Sequence, residues 1–434
     1  MVEKIKGIWG RNQRVLSNFF SLSVLQFANY MVPLVTLPYL VRILGASRYG
    51  LVEFARALSI YLVILTEYGF NLSATQQISA HRNDPRKVSE IFSSVLVIRL
   101  LLLLLSFVFL ALMVVCVPKL RAERLVFLFA FGTVIGQSLF PVWLYQGMER
   151  MRHIAVLNII TRLLIAVSIF VFIRDSGDYL YVPLIQSVGI IFMGAGGLIL
   201  ALRIFPLRLQ CPSLANIRYQ LVTGWHLFLS TIATTLYTTG NTVILGLLTT
   251  DAVVGYYAAG DKIVRAVQGL QLPLSQAIFP HIGRLASESK ALALRYADRV
   301  AKIVGVVTLA LSLGLLFGAP FMTKIILGPG YDASIPVVRI LSFLPFIIGL
   351  SNIFGIQIMV NFGMKKTLLK ILTAAGMINV VVALSLVLPL QHIGVSISVL
   401  LTEIFVTVSM YVALHRRGLH ILRPGRAEGS DAEV

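Results

Sequence analysis

Apolar runs of about 18 to 25 residues follow one another from Ser17 to Leu414, parted by short polar segments rich in lysine and arginine. Each run is continuous, without the alternation of a half-buried strand, and only hydrogen-bonded helices or closed barrels can carry a backbone through hydrocarbon. The pattern predicts helices over 17–44, 50–79, 89–117, 125–147, 154–173, 179–202, 225–248, 253–280, 303–327, 335–361, 367–389 and 392–414. The expected fold is an all-α integral membrane protein of about twelve transmembrane helices.

The polar segments set an orientation. With the N-terminus inside, 24 basic residues fall in inside segments and seven in outside segments, so the positive-inside rule places both termini in the cytoplasm. Residues 1–16 mix Ile5, Ile8 and Trp9 with Lys4, Lys6, Arg11 and Arg14; they lack the features of a cleavable signal and suit an interfacial segment. Residues 17–202 then form one six-helix lobe, 203–224 a basic cytoplasmic connecting loop, 225–414 a second six-helix lobe and 415–434 a polar cytoplasmic tail. The lobes echo each other. The stretch from Tyr49-Gly50 to Arg56 opens the second helix as Val254-Gly255 to Asp261 opens the eighth, and Gln146-Gly147-Met148-Glu149 closes the fourth as Phe362-Gly363-Met364-Lys365 closes the tenth. Six helices per repeat make the two lobes parallel-related, with a central cavity between them. Pro33, Pro38 and Pro141 are expected to bend their helices. Gly132 with Gly136, and Gly314 with Gly318, have the small-xxx-small spacing of close helix packing.

Composition sharpens this picture. Of 434 residues 57% are hydrophobic and 13% charged, about half the charged share of a soluble domain, which excludes an ordinary water-soluble enzyme. The formal charge of +19 lies between apolar segments rather than on one soluble face, so it marks topology and not nucleic-acid binding. Cys116 and Cys211 fall on opposite sides of the membrane and cannot pair. No metal-binding histidine pair, nucleophile elbow or phosphate loop is present, so the expected protein is no enzyme and needs no cofactor.

Leaving aside charges close to the helix ends, such as Arg42, Glu90, Lys324 and Lys370, ten charged residues in the predicted helices are candidates: Arg56, Arg99, Arg162, Lys262, Arg265 and Arg339 against Glu53, Glu67, Asp261 and Glu403. A lysine or arginine at a helix centre costs about 2.5 to 3.5 kcal/mol, so these side chains should face one another or a wet cavity. Glu53 and Arg56 stand at i,i+3, and Asp261 and Arg265 at i,i+4, where each pair can meet on one helix face as a neutral structural unit. Arg99 and Arg162 have no acid at those spacings and lie roughly 15 and 12 Å deep, so they need an anionic ligand or a partner on another helix. Guanidinium grips phosphate bidentately, which makes the six basic residues candidates for an anionic substrate. Lys262 and Arg339 lie near outer ends and could also snorkel to the interface. The four acids are candidates for coupling to an ion gradient, with hydrogen bonding inside the bundle as the competing role. Gln26, Asn29, Gln137 and Asn241 add polar groups to a cavity or to interhelical hydrogen bonds.

Longer phrases carry a resemblance. They are Leu37-Pro38-Tyr39-Leu40-Val41-Arg42-Ile43-Leu44-Gly45 followed by Tyr49-Gly50, Pro141-Val142-Trp143-Leu144-Tyr145-Gln146-Gly147-Met148-Glu149, and Asn158-Ile159-Ile160 before Arg162. Gly328-Pro329-Gly330-Tyr331, Arg339-Ile340-Leu341-Ser342 and Gly363-Met364-Lys365-Lys366 follow. Over roughly residues 15 to 415 the chain resembles polysaccharide-repeat flippases of the Wzx (O-antigen) type, in the superfamily that includes lipid II flippases and multidrug and toxin exporters. The resemblance implies twelve spans, a cationic cavity between two lobes, and transfer of undecaprenyl-diphosphate-linked oligosaccharide across the bacterial inner membrane by alternating access, for lipopolysaccharide assembly. It further implies coupling to a proton or sodium gradient, and a polysaccharide polymerase and chain-length regulator as partners beside the membrane lipids. The rival readings are a multidrug or cation exporter of the same superfamily, whose cavity would favour acids, a lipid II flippase, which would carry extra C-terminal spans, and a polymerase or ligase, which would carry a large periplasmic loop.

Overall fold

The computed structural model describes the chain from Val2 to Ile421, with side chains from Val35 onward except those of Leu272, Pro273 and Ala277. The expectations for the side chains of residues 1–16, for Gln26, Asn29 and Pro33, and for the tail beyond Ile421 lie outside the described residues. The first half consists of α1 (Val2–Glu67), α2 (Phe70–Ala80), α3 (Pro85–Cys116), α4 (Pro118–Ala122), α5 (Arg124–Leu139), α6 (Val142–Gly147), α7 (Met151–Phe172) and α8 (Tyr181–Ile204). The second consists of α9 (Leu214–Thr238), α10 (Gly240–Leu248), α11 (Asp251–Gly269), α12 (Leu272–Glu288), α13 (Lys290–Ile326), α14 (Ser334–Leu341), α15 (Leu344–Asn352), a π-helix (Ile353–Val360) and α16 (Lys365–His415). The described residues include no strand.

Twelve rods emerge from these elements. Gly45 (φ 67°, ψ 172°) folds α1 into two, and Gln391 (φ 48°, ψ −126°) folds α16. Eight stretches of described residues are long and apolar enough to cross a membrane, and two of them, Val35–Ala80 and Lys365–His415, contain these folds. The remaining two rods, α9 with α10 and α11 with α12, are as long but more polar, as helices lining a wet interior should be. Large apolar side chains such as Leu104, Leu164 and Phe317 point outward along α3, α7 and α13, where a bilayer would solvate them. The protein is a multi-pass membrane protein.

Three clusters of buried side chains hold the rods. The largest joins both halves: Val41, Tyr49 and Phe54 of α1 and Phe127 of α5 pack in one cluster with Val254 and Tyr257 of α11 and Tyr331 before α14. The fully buried members of the other two each belong to one half, one around Phe92, Trp143 and Phe205, against which Ile217 and Leu221 of α9 also pack, the other around Ile282, Phe354 and Met410. The halves are therefore fused at one end, around Tyr49, Val254 and Tyr331, and most of their remaining buried side chains form separate clusters toward the other.

The fused end is built on two glycines. A Cβ on Gly50 would lie 1.8 Å from the Asp251 carbonyl oxygen, and a Cβ on Gly255 would lie 2.0 Å from that of Ala46. Each glycine thus packs on the carbonyl four residues before the other, a reciprocal crossing that only hydrogen permits. Around it the Tyr331 hydroxyl donates to the Val41 carbonyl at 3.2 Å, Lys119 pairs with Asp251 at 2.9 Å, and the Arg42 guanidinium donates to the Ile325 carbonyl. At the opposite end the ties are fewer. Gln77 and Gln220 exchange hydrogen bonds at 3.0 and 2.8 Å, and Tyr68 stacks on Phe228 with ring centroids 4.7 Å apart.

The echo between halves holds at Gly50 and Gly255, and again where Asp84 and Ser289 cap α3 and α13. At the second echo the register shifts by two. Gly147 is helical and packs on Ile78, whereas the left-handed residue after α6 is Glu149 (φ 56°), in the role that Gly363 (φ 76°) plays after the π-helix. The Arg150 amide closes one turn on the Tyr145 carbonyl at 2.8 Å and the Met364 amide the other on the Met359 carbonyl at 2.7 Å, as in a Schellman cap. Glu149 accepts its strained conformation while Arg82 binds both its carboxylate oxygens at 2.9 Å.

Other expectations divide. Gly132 and Gly136 pack against Ser187 and Ile190 of α8 as their spacing implied, but Gly314 has nothing within 4 Å of its Cβ position and Gly318 meets only Met322 of its own helix. That second motif faces outward, because spacing fixes a shared face without fixing where the face points. Pro141 ends α5, whereas within α1 the non-helical residue is Gly45 rather than Pro38. Cys116 and Cys211 are free.

Candidate functional site: two cavities and their charges

Helical periodicity builds the first cavity. Along the rod of α1 that follows Gly45, Tyr49, Val52, Glu53, Arg56, Ser59 and Val63 share one helical face, and along α7 Asn158, Thr161, Arg162, Ile165 and Ile169 do the same. The two stripes face each other across about 420 Å³, closed by Thr133 and Gln137 of α5, Gln186 and Ile190 of α8 and Lys262 of α11. All but Lys262 come from the first half, so this cavity sits inside that half with one cation reaching in from the other.

Its charges form an unequal set. The buried Glu53 carboxylate accepts from Arg56 Nε at 2.8 Å and from Lys262 Nζ at 2.5 Å. The i,i+3 pair expected from spacing is present, and the second cation turns it into a bridge between the halves. Lys262 Nζ also lies 5.2 Å from the centroid of the Tyr49 ring. Arg162 has no ion-pair or hydrogen-bond partner among the described residues, and its Nε is buried without one. Three cations against one carboxylate leave the cavity net positive, and Gln137, Asn158 and Gln186 add neutral donors and acceptors.

A second cavity of about 330 Å³ lies within the other half, lined by Arg265, Gln268, Gln271, Ser275, Asn352 and Gln357 beside aliphatic residues of α12, α13 and α15. Arg265 Nε binds Asp261 at 2.5 Å, the expected i,i+4 pair, and its Nη2 donates to the Thr238 carbonyl at 3.1 Å. The carboxylate is not part of the lining, so the cavity presents the guanidinium edge and four amides.

The structure corrects the reading of Arg99. It is 2% exposed and lines neither cavity; Nη2 donates to the Gln137 carbonyl at 2.7 Å and Nη1 to the Phe140 carbonyl at 3.1 Å. Pro141 has no amide hydrogen to give the Gln137 carbonyl four residues back, and Arg99 supplies the missing donor at the negative end of α5. Its partner was a backbone break on another helix, which no spacing to an acid reveals. Arg339 is likewise no cavity residue here: it is exposed at the end of α14 and lines neither space. Glu67 ends α1 half-buried within Coulombic range of Arg99, and Glu403 is half-buried on α16 within range of Arg265. Neither acid lines a cavity, and neither does the fully buried Asn241, whose Nδ2 donates to the Tyr237 carbonyl at 3.3 Å.

The sequence left unassigned most of the neutral lining: Asn158 and Gln186 in the first cavity and the amides of the second. Asn158 carried a usable signal, standing one helical turn before Arg162. No group of three histidine, cysteine or acidic side chains able to hold a metal occurs among the described residues.

Comparison with known proteins accords with this architecture. An inward-facing multidrug-resistance transporter of the MATE family, in the MOP superfamily, superposes with a TM-score of 0.70 at 14% identity, covering 91% of this chain and 98% of that one. The lipid II flippase MurJ in an inward closed conformation gives the same TM-score and identity over 91% and 87%. These likenesses establish the fold. In sequence, the chain is 35% identical over 402 residues to the protein named "Putative O-antigen transporter" of Escherichia coli (strain K12), covering 93% of this chain and 97% of that protein. It is 30% identical over 404 residues to the protein of the same name in Shigella dysenteriae, covering 92% and 99%. The family described as Polysaccharide biosynthesis protein matches residues 15–286, and the chain belongs to that family.

Proposed function

We propose that this protein is a flippase that moves a diphosphate-linked oligosaccharide on a polyprenyl anchor from the cytoplasmic to the periplasmic leaflet of the bacterial inner membrane. The observation that carries the reading is Arg162, an intramembrane guanidinium without a protein partner among the described residues, in a net-positive cavity whose neutral polar lining includes the amides of Gln137, Asn158 and Gln186. A dianionic diphosphate offers the bidentate acceptor that this group lacks, and the amides suit hydroxylated cargo. The relatives named as O-antigen transporters, and the fold shared with a lipid II flippase, support the same class of cargo. An exporter of organic cations would need the opposite balance of charge in this cavity.

With both termini in the cytoplasm, the reading that the charge bias supports, the glycine crossing seals the periplasmic end, and the fewer ties between the halves, through Gln77 with Gln220 and Tyr68 with Phe228, face the cytoplasm. In this state the head group enters from the cytoplasm while the polyprenyl chain stays in the bilayer, and alternating access requires the crossing to open. No chemical step is needed. A proton or sodium gradient drives the cycle, with Glu67 and Glu403 as the acids available for coupling, and a polymerase and chain-length regulator receive the product.

The test is deletion in the native host, followed by rescue with wild type, Arg162→Ala and Arg99→Ala. Lipid-linked oligosaccharide should accumulate on the cytoplasmic leaflet, wild type should restore surface polysaccharide, and well-expressed Arg162→Ala should not. Arg99→Ala should lose activity only in proportion to its loss of folded protein. Normal surface polysaccharide in the deletion strain would sink the proposal.

A further inference from the structure

The second cavity differs in kind from the first. Its four amides and one hydroxyl surround a single guanidinium that is already neutralised by Asp261, and its remaining walls are aliphatic: Leu274, Ile278, Val300, Val304, Ile348 and Ile353. A set that can both donate and accept, beside apolar carbon faces and without net charge, matches a neutral polyhydroxylated ring rather than an ion. The volume, about 330 Å³, stands at the lower end of the usual range for ligand pockets, roughly 300–1,000 Å³, which suits one or two sugar rings rather than a whole repeat unit.

The polar groups are held in place by an irregular helix. Asn352 and Gln357 are five residues apart, a spacing that puts them on different faces of an α-helix. The π-helix from Ile353 to Val360 has i→i+5 hydrogen bonding and brings such residues toward one face. Gln357 Nε2 donates to the Ser275 carbonyl at 2.9 Å and to Ser275 Oγ at 3.0 Å, while Ser275 Oγ donates to Asn352 Oδ1 at 2.7 Å. The Gln357 and Ser275 donors are thus used inside this triad, yet Gln357 Oε1 is buried with no hydrogen-bond partner. A buried carbonyl left unsatisfied costs about 1–3 kcal/mol, and a hydroxyl donor from a ligand would recover it. Gln268, one turn from Arg265 on α11, has a side chain with no hydrogen bond among the described residues and completes the wall.

We infer that the cavity around Gln268, Asn352 and Gln357 is a subsite for a neutral sugar ring of the cargo, separate from the cationic cavity that takes its diphosphate. The inference rests on the flippase reading above and adds a division of labour: one half grips the charge that every such cargo shares, the other reads the sugar.

Binding measured by native mass spectrometry on the full-length protein tests it, with two probes: undecaprenyl diphosphate, and the lipid-linked repeat unit isolated from a polymerase-deficient strain of the host. Wild type should prefer the glycosylated lipid. Gln268→Leu, which disturbs no hydrogen bond in the structure, and Gln357→Leu should each cut that preference about tenfold while leaving undecaprenyl diphosphate binding unchanged; Arg162→Ala should weaken both lipids alike. If Gln357→Leu does not fold, Gln268→Leu alone decides. Equal binding of the two lipids by wild type, or a preference that survives Gln268→Leu, would overturn the subsite and leave the flippase intact. Failure of wild type to bind either lipid would overturn the flippase reading and the subsite with it.

Discussion

The two cavities occupy corresponding halves of a repeated fold and have opposite chemistry. In the first, Glu53 is outnumbered by Arg56, Lys262 and Arg162; in the second, Arg265 is matched by Asp261 and the other polar groups are four amides and a hydroxyl. Duplication repeated the scaffold, down to the crossing glycines and the helix caps, without repeating the site. Charge inside a membrane is tolerated where it is paired, so the pairing itself distinguishes the two halves: one carboxylate too few makes a receptor for anions, and equal numbers make a neutral wall.

The comparison can be broken at its anchor. Glu53→Gln removes the only carboxylate among the described residues of the first cavity and leaves Arg56 and Lys262 facing each other across it; losing the charge-assisted hydrogen bonds of this buried acid to two partly exposed cations should cost up to about 3 kcal/mol, read as a fall in melting temperature of the purified protein. A stability like that of wild type would mean that the bridge is solvated and that the contrast between cavities is overstated. The next effect falls on cargo. Hydrogen bonds to charged groups contribute about 1.5–3 kcal/mol, so Arg162→Ala should weaken binding of undecaprenyl diphosphate by roughly 10- to 100-fold, with Arg162→Lys in between.

Arg99→Ala sharpens the contrast from outside both cavities. It orphans the Gln137 carbonyl at the break before Pro141, leaves the Phe140 carbonyl with the Val142 amide alone, and should cost about 1–3 kcal/mol in stability, while the affinity of the remaining folded protein for undecaprenyl diphosphate stays unchanged. A specific loss of affinity would return Arg99 to the site. The smallest effect belongs to Gly314→Ala, on a face with nothing to meet: stability should stay level or rise by up to about 1 kcal/mol through helix propensity, and a marked loss would place an unseen partner there.

How much of this was legible in the chain depends on how local the cause is. Run length and the absence of alternation gave the twelve rods, because the bilayer imposes them one segment at a time. Spacing along one helix gave Glu53 with Arg56 and Asp261 with Arg265. Whatever needed the rotation of one helix against another stayed hidden. Arg99 and Arg162 look alike in sequence, both lone arginines deep in an apolar run, yet one turns toward a broken helix end and the other toward a void. Lys262 reaches Glu53 from 209 positions away. The amides of the second cavity were hidden for a different reason, since they meet through a π-helix and a 3.6-residue period assigns Asn352 and Gln357 to different faces.

The glycine crossing also bears on how such a chain can evolve. Gly50 rests on the backbone of the second repeat and Gly255 on that of the first, so each copy of the duplicated segment is part of the other's environment. A duplicated gene ordinarily frees one copy to drift. Here a side chain gained at either glycine would be felt at once across the seam, and the two copies must keep their smallest residue for each other's sake while the cavities behind them diverge.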